Sequence, residues 1–428
     1  MVNKSAESGI RVPSSLVIDW PEWLRFSGLD RLQRLHIREV PETFFPVDIL
    51  PCAFQLLESG GLLVLEFAGE TDTLALTRRM LNKAHNFGFE PEFSATGVDY
   101  SRCMAFVYRG EARANKILVK STTGYESELI TLFGDVFGHP ISSAHWRWKY
   151  PLNTENQSLI ALAGEHVIAH YGVSPRNICV SGNHLLAAQV GDIMVDSSHR
   201  GGLVTSSYAQ VAYITMMQMQ EQISEDPLWT DYMVGFGFPH GRHMKMARRL
   251  ALYNDGGNVH LVRFLTSNAP GSSTFSLVTT FDDALKRIWN SANKQLKASL
   301  NGACMVDRSW LYLLERYRFH PQNEYQIAAS VDAVFVLSLF PDGIYRVVDY
   351  IGDIAALTEN ISQLAALLKV SEIRMWLMEW VSQYIAGSDT VKWNGVKASL
   401  ALMYTKGSSF EQFKDIPWWI TLGDADFI

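Results

Sequence analysis

Between Asp192 and Thr205 the chain passes from an apolar run, Asp192-Ile-Met-Val195, through a short polar turn, His199-Arg-Gly-Gly202, into the start of a helical pattern. A strand that ends in a glycine turn and hands over to a helix N-terminus builds one kind of pocket. Free backbone N–H groups and the positive end of the helix dipole converge there and favour an anionic phosphate group. The same order of elements commits the surrounding chain to an α/β layout, because the helix must pack back onto the sheet that supplied the strand.

A chain of 428 residues exceeds what one hydrophobic core usually serves and implies two to four domains. Its 47% hydrophobic content and 12 tryptophans supply ample material to bury. A formal charge of −7 argues against a nucleic-acid surface, which carries a basic stripe. Cys52, Cys103, Cys179 and Cys304 show no CxxC spacing, so neither a zinc site nor a disulfide framework is expected, and no metal. They read as buried free thiols in a reducing compartment. The N-terminus, Met1-Val-Asn-Lys-Ser-Ala-Glu7, lacks the apolar run of a secretory signal. The longest apolar runs, such as Ala333–Phe340, fall far short of the roughly 20 residues of a membrane helix. A cytoplasmic protein with no membrane span is expected.

Three segments follow one another. In residues 1–112, Asp48 to Leu57 is helix-like and Glu58-Ser-Gly-Gly61 reads as a turn. Leu62-Leu-Val-Leu-Glu-Phe67 reads as a strand buried on both faces of a parallel sheet. A helix is expected over Asp72–Asn86, and two short strands flank a turn near Gly97, the second being Cys103–Tyr108. The run Ile49–Glu66, with its Gly-Gly turn, resembles the late helix and strand of class I, S-adenosylmethionine-dependent methyltransferases. That resemblance implies a truncated, Rossmann-like remnant. It stops short of the cofactor site, because Gly9 and Gly28 lie outside any strand–glycine–helix context. S-adenosylmethionine is therefore not expected as a ligand.

Residues 113–280 contain the phosphate-loop feature. Ile117–Ser121 reads as a short strand, and Tyr125–Phe137 as a helix with Leu129, Leu132, Phe133 and Val136 on one face. After the aromatic–basic stretch His145-Trp-Arg-Trp-Lys-Tyr150, three strands are expected at Ser158–Ala163, Glu165–Val173 and Leu185–Val195. Gly235-Phe-Gly-Phe-Pro-His240 ends a further strand ahead of a helix over Arg242–Leu252. This order resembles the GNAT (Gcn5-related) N-acyltransferase fold. The resemblance rests on Phe137–Pro140 with Trp146–Tyr150, on Val167-Ile-Ala-His-Tyr-Gly172, on Asp192–Val195 with His199–Thr205, and on Gly235–His240.

The resemblance implies acetyl-CoA, or another acyl-CoA, as co-substrate and a primary amine as acceptor. Arg200, Gly201, Gly202, Leu203, Val204 and Thr205 would cradle the pyrophosphate. Backbone N–H groups of Ile193, Met194 and Val195 would bond the cofactor arm and the developing oxyanion. A base must take the amine proton and an acid must protonate the leaving thiolate. Asp192 and His170 are the candidate bases and Tyr253 the candidate acid. Trp146, Trp148, Tyr171 and Phe238 are the candidate acceptor contacts. The family pattern has small residues where this chain has Leu203 and Thr205, so the backbone reaches the phosphates only if Gly201 and Gly202 take over.

Residues 281–428 repeat the layout. A helix over Asp282–Leu296 leads to Trp310–Pro321, which echoes Trp146–Pro151, and strands follow at Glu324–Ser330, Val334–Leu339 and Gly343–Tyr350. The helix Ile354–Leu368 is preceded by Tyr350-Ile-Gly-Asp353 where the first copy has Arg-Gly-Gly. This resembles a second, degenerate GNAT domain. The ending Trp418–Asp426 reads as a capped closing strand, its acidic and aromatic residues alternatively lining an amine cleft. The expected fold class is thus α/β (α+β), with two tandem GNAT-like mixed-sheet domains behind a methyltransferase-like remnant. The expected activity is acyl transfer to a small-molecule amine, an amino sugar or other cell-envelope polysaccharide precursor by family analogy, with a homodimer admitted. The competing expectation is a catalytically degenerate binding or scaffold protein.

Overall fold

The apolar run Leu62–Phe67 forms the centre of a five-stranded sheet in the computed structural model. The strand order is β1 (Ser15–Asp19), β2 (Leu32–Val40), β3 (Leu57–Phe67), β5 (Cys103–Tyr108), β4 (Phe89–Glu92). The first three strands are mutually parallel, whereas β5 runs antiparallel to both of its neighbours. Leu63, Val64, Leu65 and Phe67 are fully buried, as an uninterrupted apolar strand requires. Glu58–Gly61, expected as a turn, lies inside β3 instead. The β2–β3 register steps from Leu32↔Leu57 to Arg34↔Leu62, so the surplus residues of β3 bulge outward. Gly60 takes φ +85°, and a Cβ on Gly61 would lie 2.9 Å from the carbonyl oxygens of Glu58 and Leu32. Leu57, expected to end a helix, therefore opens the strand. Ala53 and Ala84 are helical; the rest of the helices expected over Asp48–Leu57 and Asp72–Asn86 lies outside the described residues.

The structure describes residues 15–19, 32–40, 53, 57–67, 84, 89–100, 103–109, 118–151, 158–199, 232–249, 253–266, 272–300, 302–385, 390–403, 413 and 415–425. They form two compact units. The first takes Met1–Pro140, Ser158–Tyr171 and Asp192–Thr230; the second takes Ile141–Gln157, Gly172–Gly191 and Asp231–Ile428. No helix among the described residues is long and apolar enough to cross a membrane.

Besides the five-stranded sheet, the first unit holds β6 (Leu118–Ser121), α1 (Glu126–Phe137) and β7 (Leu159–Ala163), and it takes the start of β8 (His166–Val180) and the end of β9 (Asn183–Val195). Helix α1 buries Leu129, Leu132 and Phe133, the face its spacing predicts, and ends on Gly138 at φ 75°. Strands β6, β7 and β8 form an antiparallel meander.

In the second unit the strand order is β12 (Ser276–Val278), β14 (Gln326–Ala329), β15 (Val334–Leu339), β16 (Tyr345–Ile351), β17 (Glu372–Met378), β11 (Asn254–Leu265), β18 (Val391–Met403), β10 (Tyr232–Gly237), β9, β8, β13 (Cys304–Val306), β19 (Trp418–Trp419). The pairs β9–β10 and β16–β17 are parallel. Two strands are exchanged between them. β11 follows β10 in the chain but pairs with β17, and β18 follows β17 but pairs with β10. From either parallel pair outward the order is therefore nearly the same. Helix α2 (Ser143–Lys149) precedes the strands; α3 (Gly241–Arg249), α4 (Asp283–Ser299), α5 (Trp310–Leu313) and α6 (Leu357–Leu368) connect them. Asp282 caps α4 by accepting from the N–H groups of Ala284 and Leu285, and the helix buries Leu285, Trp289, Ala292 and Leu296.

The core of this unit contains buried charge. Arg308 and Asp349 are fully buried and bonded through Nε at 3.0 Å, and Arg308 Nη2 also donates to Asp424 Oδ2 at 2.6 Å. Thr421 and the Tyr317 hydroxyl both donate to Asp349. The expected closing strand is present as β19, and Thr421 and Asp424 form a capping box behind it. Trp418, Trp419 and Asp424 are buried. Cys103, Cys179 and Cys304 are buried; Cys52 lies outside the described residues.

Candidate functional site

Strand β9 organises the site predicted from the sequence. Its ladder with β10 runs from Leu186↔Tyr232 to Val190↔Gly237. The approach is closest at its end, where a Cβ on Gly237 would lie 2.7 Å from the Val190 carbonyl oxygen. Beyond Val190 the strand continues for five residues and is re-aimed at Asp192, whose φ is +44°. A left-handed backbone costs an ordinary residue about 1–2 kcal/mol, and aspartate is among the few that adopt it routinely.

His170 is held by the same kink. It is 1% exposed in β8, and its Nδ1 lies 2.8 Å from the carbonyl oxygen of Asp192. A carbonyl only accepts, so Nδ1 carries the hydrogen; in the neutral ring the lone pair then falls on Nε2, the tautomer a general base requires. The two candidate bases thus meet through the Asp192 backbone. Of the residues proposed for the cofactor arm, Met194 and Val195 are buried and Ile193 is half-buried. The side chains of Met194 and Val195 are thus enclosed. Tyr171, paired with Leu159, is fully buried.

Within the polar turn after β9, Asp196 was not among the candidate residues of the sequence. Asp196 accepts from Ser198 N–H at 2.9 Å, from the Ser198 hydroxyl and from His199 Nδ1 at 3.1 Å. The hydroxyl and then the histidine hold its carboxyl down at about 2. Asp196 N–H in turn donates to Ile168 at 2.8 Å, which anchors the turn to β8. The order Asp-x-Ser is the signal for such an Asx turn and was legible. Arg200, Gly201, Gly202, Leu203, Val204 and Thr205 lie outside the described residues.

The remaining candidates belong to the second unit. Tyr253 is buried and its ring stacks on His243 at 5.8 Å and 15°. Burial, reinforced by nearby His240, lowers the His243 pKa to about 4, so this ring is neutral at pH 7. Phe238 packs edge-on against Phe236. Trp146 is buried against Tyr150, at 4.8 Å between rings. Trp148 is half-buried; its indole N–H donates to Glu315 O at 2.7 Å, and Arg316 lies 5.0 Å over its ring. Glu315 and Arg316 belong to the stretch Trp310–Pro321, so the two echoing motifs pack on each other.

Comparison with known proteins agrees with the part of the chain that bears these features. Residues 119–225 match the acetyltransferase (GNAT) domain family. A conserved protein of unknown function from Enterococcus faecalis V583 superposes with a TM-score of 0.52 at 12% identity, covering 67% of this chain and 72% of its own. A GCN5-related N-acetyltransferase from Kribbella flavida superposes with a TM-score of 0.50 at 12% identity, covering 67% and 71%. At such identity these likenesses concern the fold. No curated protein matches the chain.

Proposed function

We propose that the chain is an acyl-CoA-dependent N-acyltransferase that moves an acyl group, acetyl in the first place, onto a primary amine of a small molecule. The observation that carries this reading is the course of β9. Its parallel ladder with β10 stops at Val190 while the strand runs on, through a left-handed residue, into the turn at Asp196. A strand edge released in this way offers backbone N–H groups to a pantetheine arm and to a developing oxyanion.

In this reading Ile193 to Val195 hold the arm, and the Asp196 turn delivers Arg200 to Thr205 to the pyrophosphate. The amine nitrogen attacks the thioester carbonyl, a C–N bond forms, and the C–S bond breaks as thiolate leaves. His170 Nε2 takes the proton shed by the amine, with Asp192 as the alternative base. The thiolate takes up a proton from an acid, the role the sequence resemblance assigns to Tyr253.

The near-symmetric strand order around β9–β10 and β16–β17 supports a tandem pair of GNAT-like domains, residues 113–280 and 281–428. Insertion of antiparallel β5 between β3 and β4 supports a methyltransferase-like remnant at 1–112. The buried cysteines Cys179 and Cys304 suit a reducing, cytoplasmic setting. An amino sugar or cell-envelope precursor is the favoured acceptor, by analogy alone.

Calorimetric titration with acetyl-CoA and CoA tests the reading, followed by thiol release with a panel of amino sugars and simple amines. Micromolar binding that Arg200→Ala weakens, with unchanged melting temperature, supports it. No binding at millimolar ligand refutes it.

A further inference from the structure

Three ligand-type side chains meet on one face of the five-stranded sheet, and the acyl-transfer chemistry uses none of them. His36 lies in β2, Glu66 near the carboxyl end of β3 and Cys103 at the start of β5. The ladders pair His36 with Val64 and Glu66 with Cys103. Val64 and Glu66 are two residues apart in one strand, so all three side chains stand on the same face. One ligand atom from each, the sulfur of Cys103 included, falls within 4.8 Å of the others.

His36 and Glu66 approach each other as an ion pair that leaves the sulfur of Cys103 at its side. His36 Nε2 is 3.2 Å from Glu66 Oε2, yet the two miss hydrogen-bond geometry. That nitrogen is shut off from solvent and has no hydrogen-bond partner among the described residues. The nearby carboxylate offsets part of the cost of burying it, and a cation standing between nitrogen, oxygen and sulfur would satisfy all three at once.

The surroundings favour such a body. The loop between β4 and β5 lies over this face. Arg34 donates to the carbonyls of Thr96 and Gly97 at 3.2 and 3.4 Å, and Val98 and Tyr100 pack on Val64, Cys103 and Ala105. Cys103 is 5% exposed, whereas the side chains of His36 and Glu66 keep 18% and 23% exposure, which leaves a way in from solvent.

We propose that His36, Glu66 and Cys103 bind a divalent transition-metal ion, zinc first, with water in the fourth position. Imidazole, carboxylate and thiolate together suit zinc, whereas magnesium and calcium take oxygen sets. Zinc bond lengths of about 2.0–2.3 Å place tetrahedral ligand atoms roughly 3.3–3.6 Å apart, close to the 3.2 Å between His36 and Glu66. Cysteine spacing alone could not disclose the site, because the three ligands come from strands distant in sequence. The expectation of no metal rested on that spacing.

The test uses the full chain, stripped with chelator and titrated with cobalt(II), a spectroscopic stand-in for zinc. One equivalent should bind with a thiolate-to-cobalt charge-transfer band that zinc abolishes. Cys103→Ser should lose the band. His36→Gln, at a partly exposed position, should bind at least tenfold more weakly while its melting temperature in chelator stays that of the wild type. Zinc should raise the melting temperature of the wild type but not of His36→Gln. Absence of the band, its survival in Cys103→Ser, or equal cobalt affinity in His36→Gln overturns the assignment.

Discussion

Replacing Arg308 by methionine should be among the most damaging single changes in the second unit. Its guanidinium is fully buried and donates to Asp349 at 3.0 and 3.3 Å, Asp424 at 2.6 Å, Thr421 at 3.1 Å and the Val306 carbonyl at 2.8 Å. Two carboxylates thus share one cation. Removing it leaves both buried with no opposite charge, and breaking a buried pair costs about 3–5 kcal/mol. Asp349→Asn keeps the shape and leaves Arg308 a neutralising partner in Asp424, so only hydrogen bonds to a charged group suffer, about 1.5–3 kcal/mol. Burial pushes the Asp349 carboxyl above the ordinary range; Arg308 opposes the shift and Asp424 adds to it. A carboxyl raised on folding is protonated more readily in the native state, so its contribution to stability falls as pH rises through the folded value. In Arg308→Met the opposing cation is gone and this trend steepens. The variant should therefore be penalised most at pH 7 and recover part of the loss near the carboxylate range. Urea unfolding followed by tryptophan fluorescence reads this out, since Trp289, Trp418 and Trp419 are fully buried around the network. A loss below 1 kcal/mol in Arg308→Met, or no recovery on acidification, refutes the reasoning.

Gly237→Ala should destabilise by about 1–3 kcal/mol and weaken acyl-CoA binding, because its Cβ would meet the Val190 carbonyl oxygen at 2.7 Å; unfolding and calorimetry on one sample check both. At Asp192, with φ +44°, Asp192→Asn should fold like the wild type, whereas Asp192→Val should lose about 1–2 kcal/mol or more. Thiol-release rates then separate backbone from carboxylate: retained activity in Asp192→Asn, with loss in His170→Gln, selects His170 as base. Glu372 accepts from Arg263 at 2.9 and 2.6 Å and from Arg374 at 2.6 Å, and these partners, Arg263 first, hold its carboxyl down to about 2. The stability it adds is present above the ordinary glutamate range and is lost as pH falls toward 2, so the melting-temperature gap between wild type and Glu372→Gln should close on acidification.

Local patterns carried far into this fold. The period of Leu129, Leu132 and Phe133 placed α1, and the apolar runs placed β3, β9, β15 and β16. What stayed hidden needs three dimensions. Glu58–Gly61 has turn composition, but neighbours on both sides of β3 turn it into a bulge. The kink at Asp192 is a backbone angle that no residue type announces by itself. Arg308, Asp349 and Asp424 come from distant positions, as do His36, Glu66 and Cys103, so spacing rules cannot join them.

In the proposed second domain, Tyr350-Ile-Gly-Asp353 stands where the first has Arg-Gly-Gly. The ladder of β16 with β17 covers only Tyr345 to Val347, and beyond it β16 parts from β17 as β9 does from β10. Here the edge is already taken. A Cβ on Gly423 would lie 3.1 Å from the Val348 carbonyl oxygen, and Thr421 and Arg308 saturate Asp349. The segment Trp418–Asp424 thus lies against this edge. The segment also accepts from Gln189 of β9 at the Asp424 carbonyl, 2.6 Å, and packs Trp418 on Phe236 of β10 at 5.4 Å. One C-terminal stretch therefore braces β9 and β10 while filling the edge of β16. Changes at Asp424 or Trp418 should accordingly reach acyl-CoA binding through the position of β9.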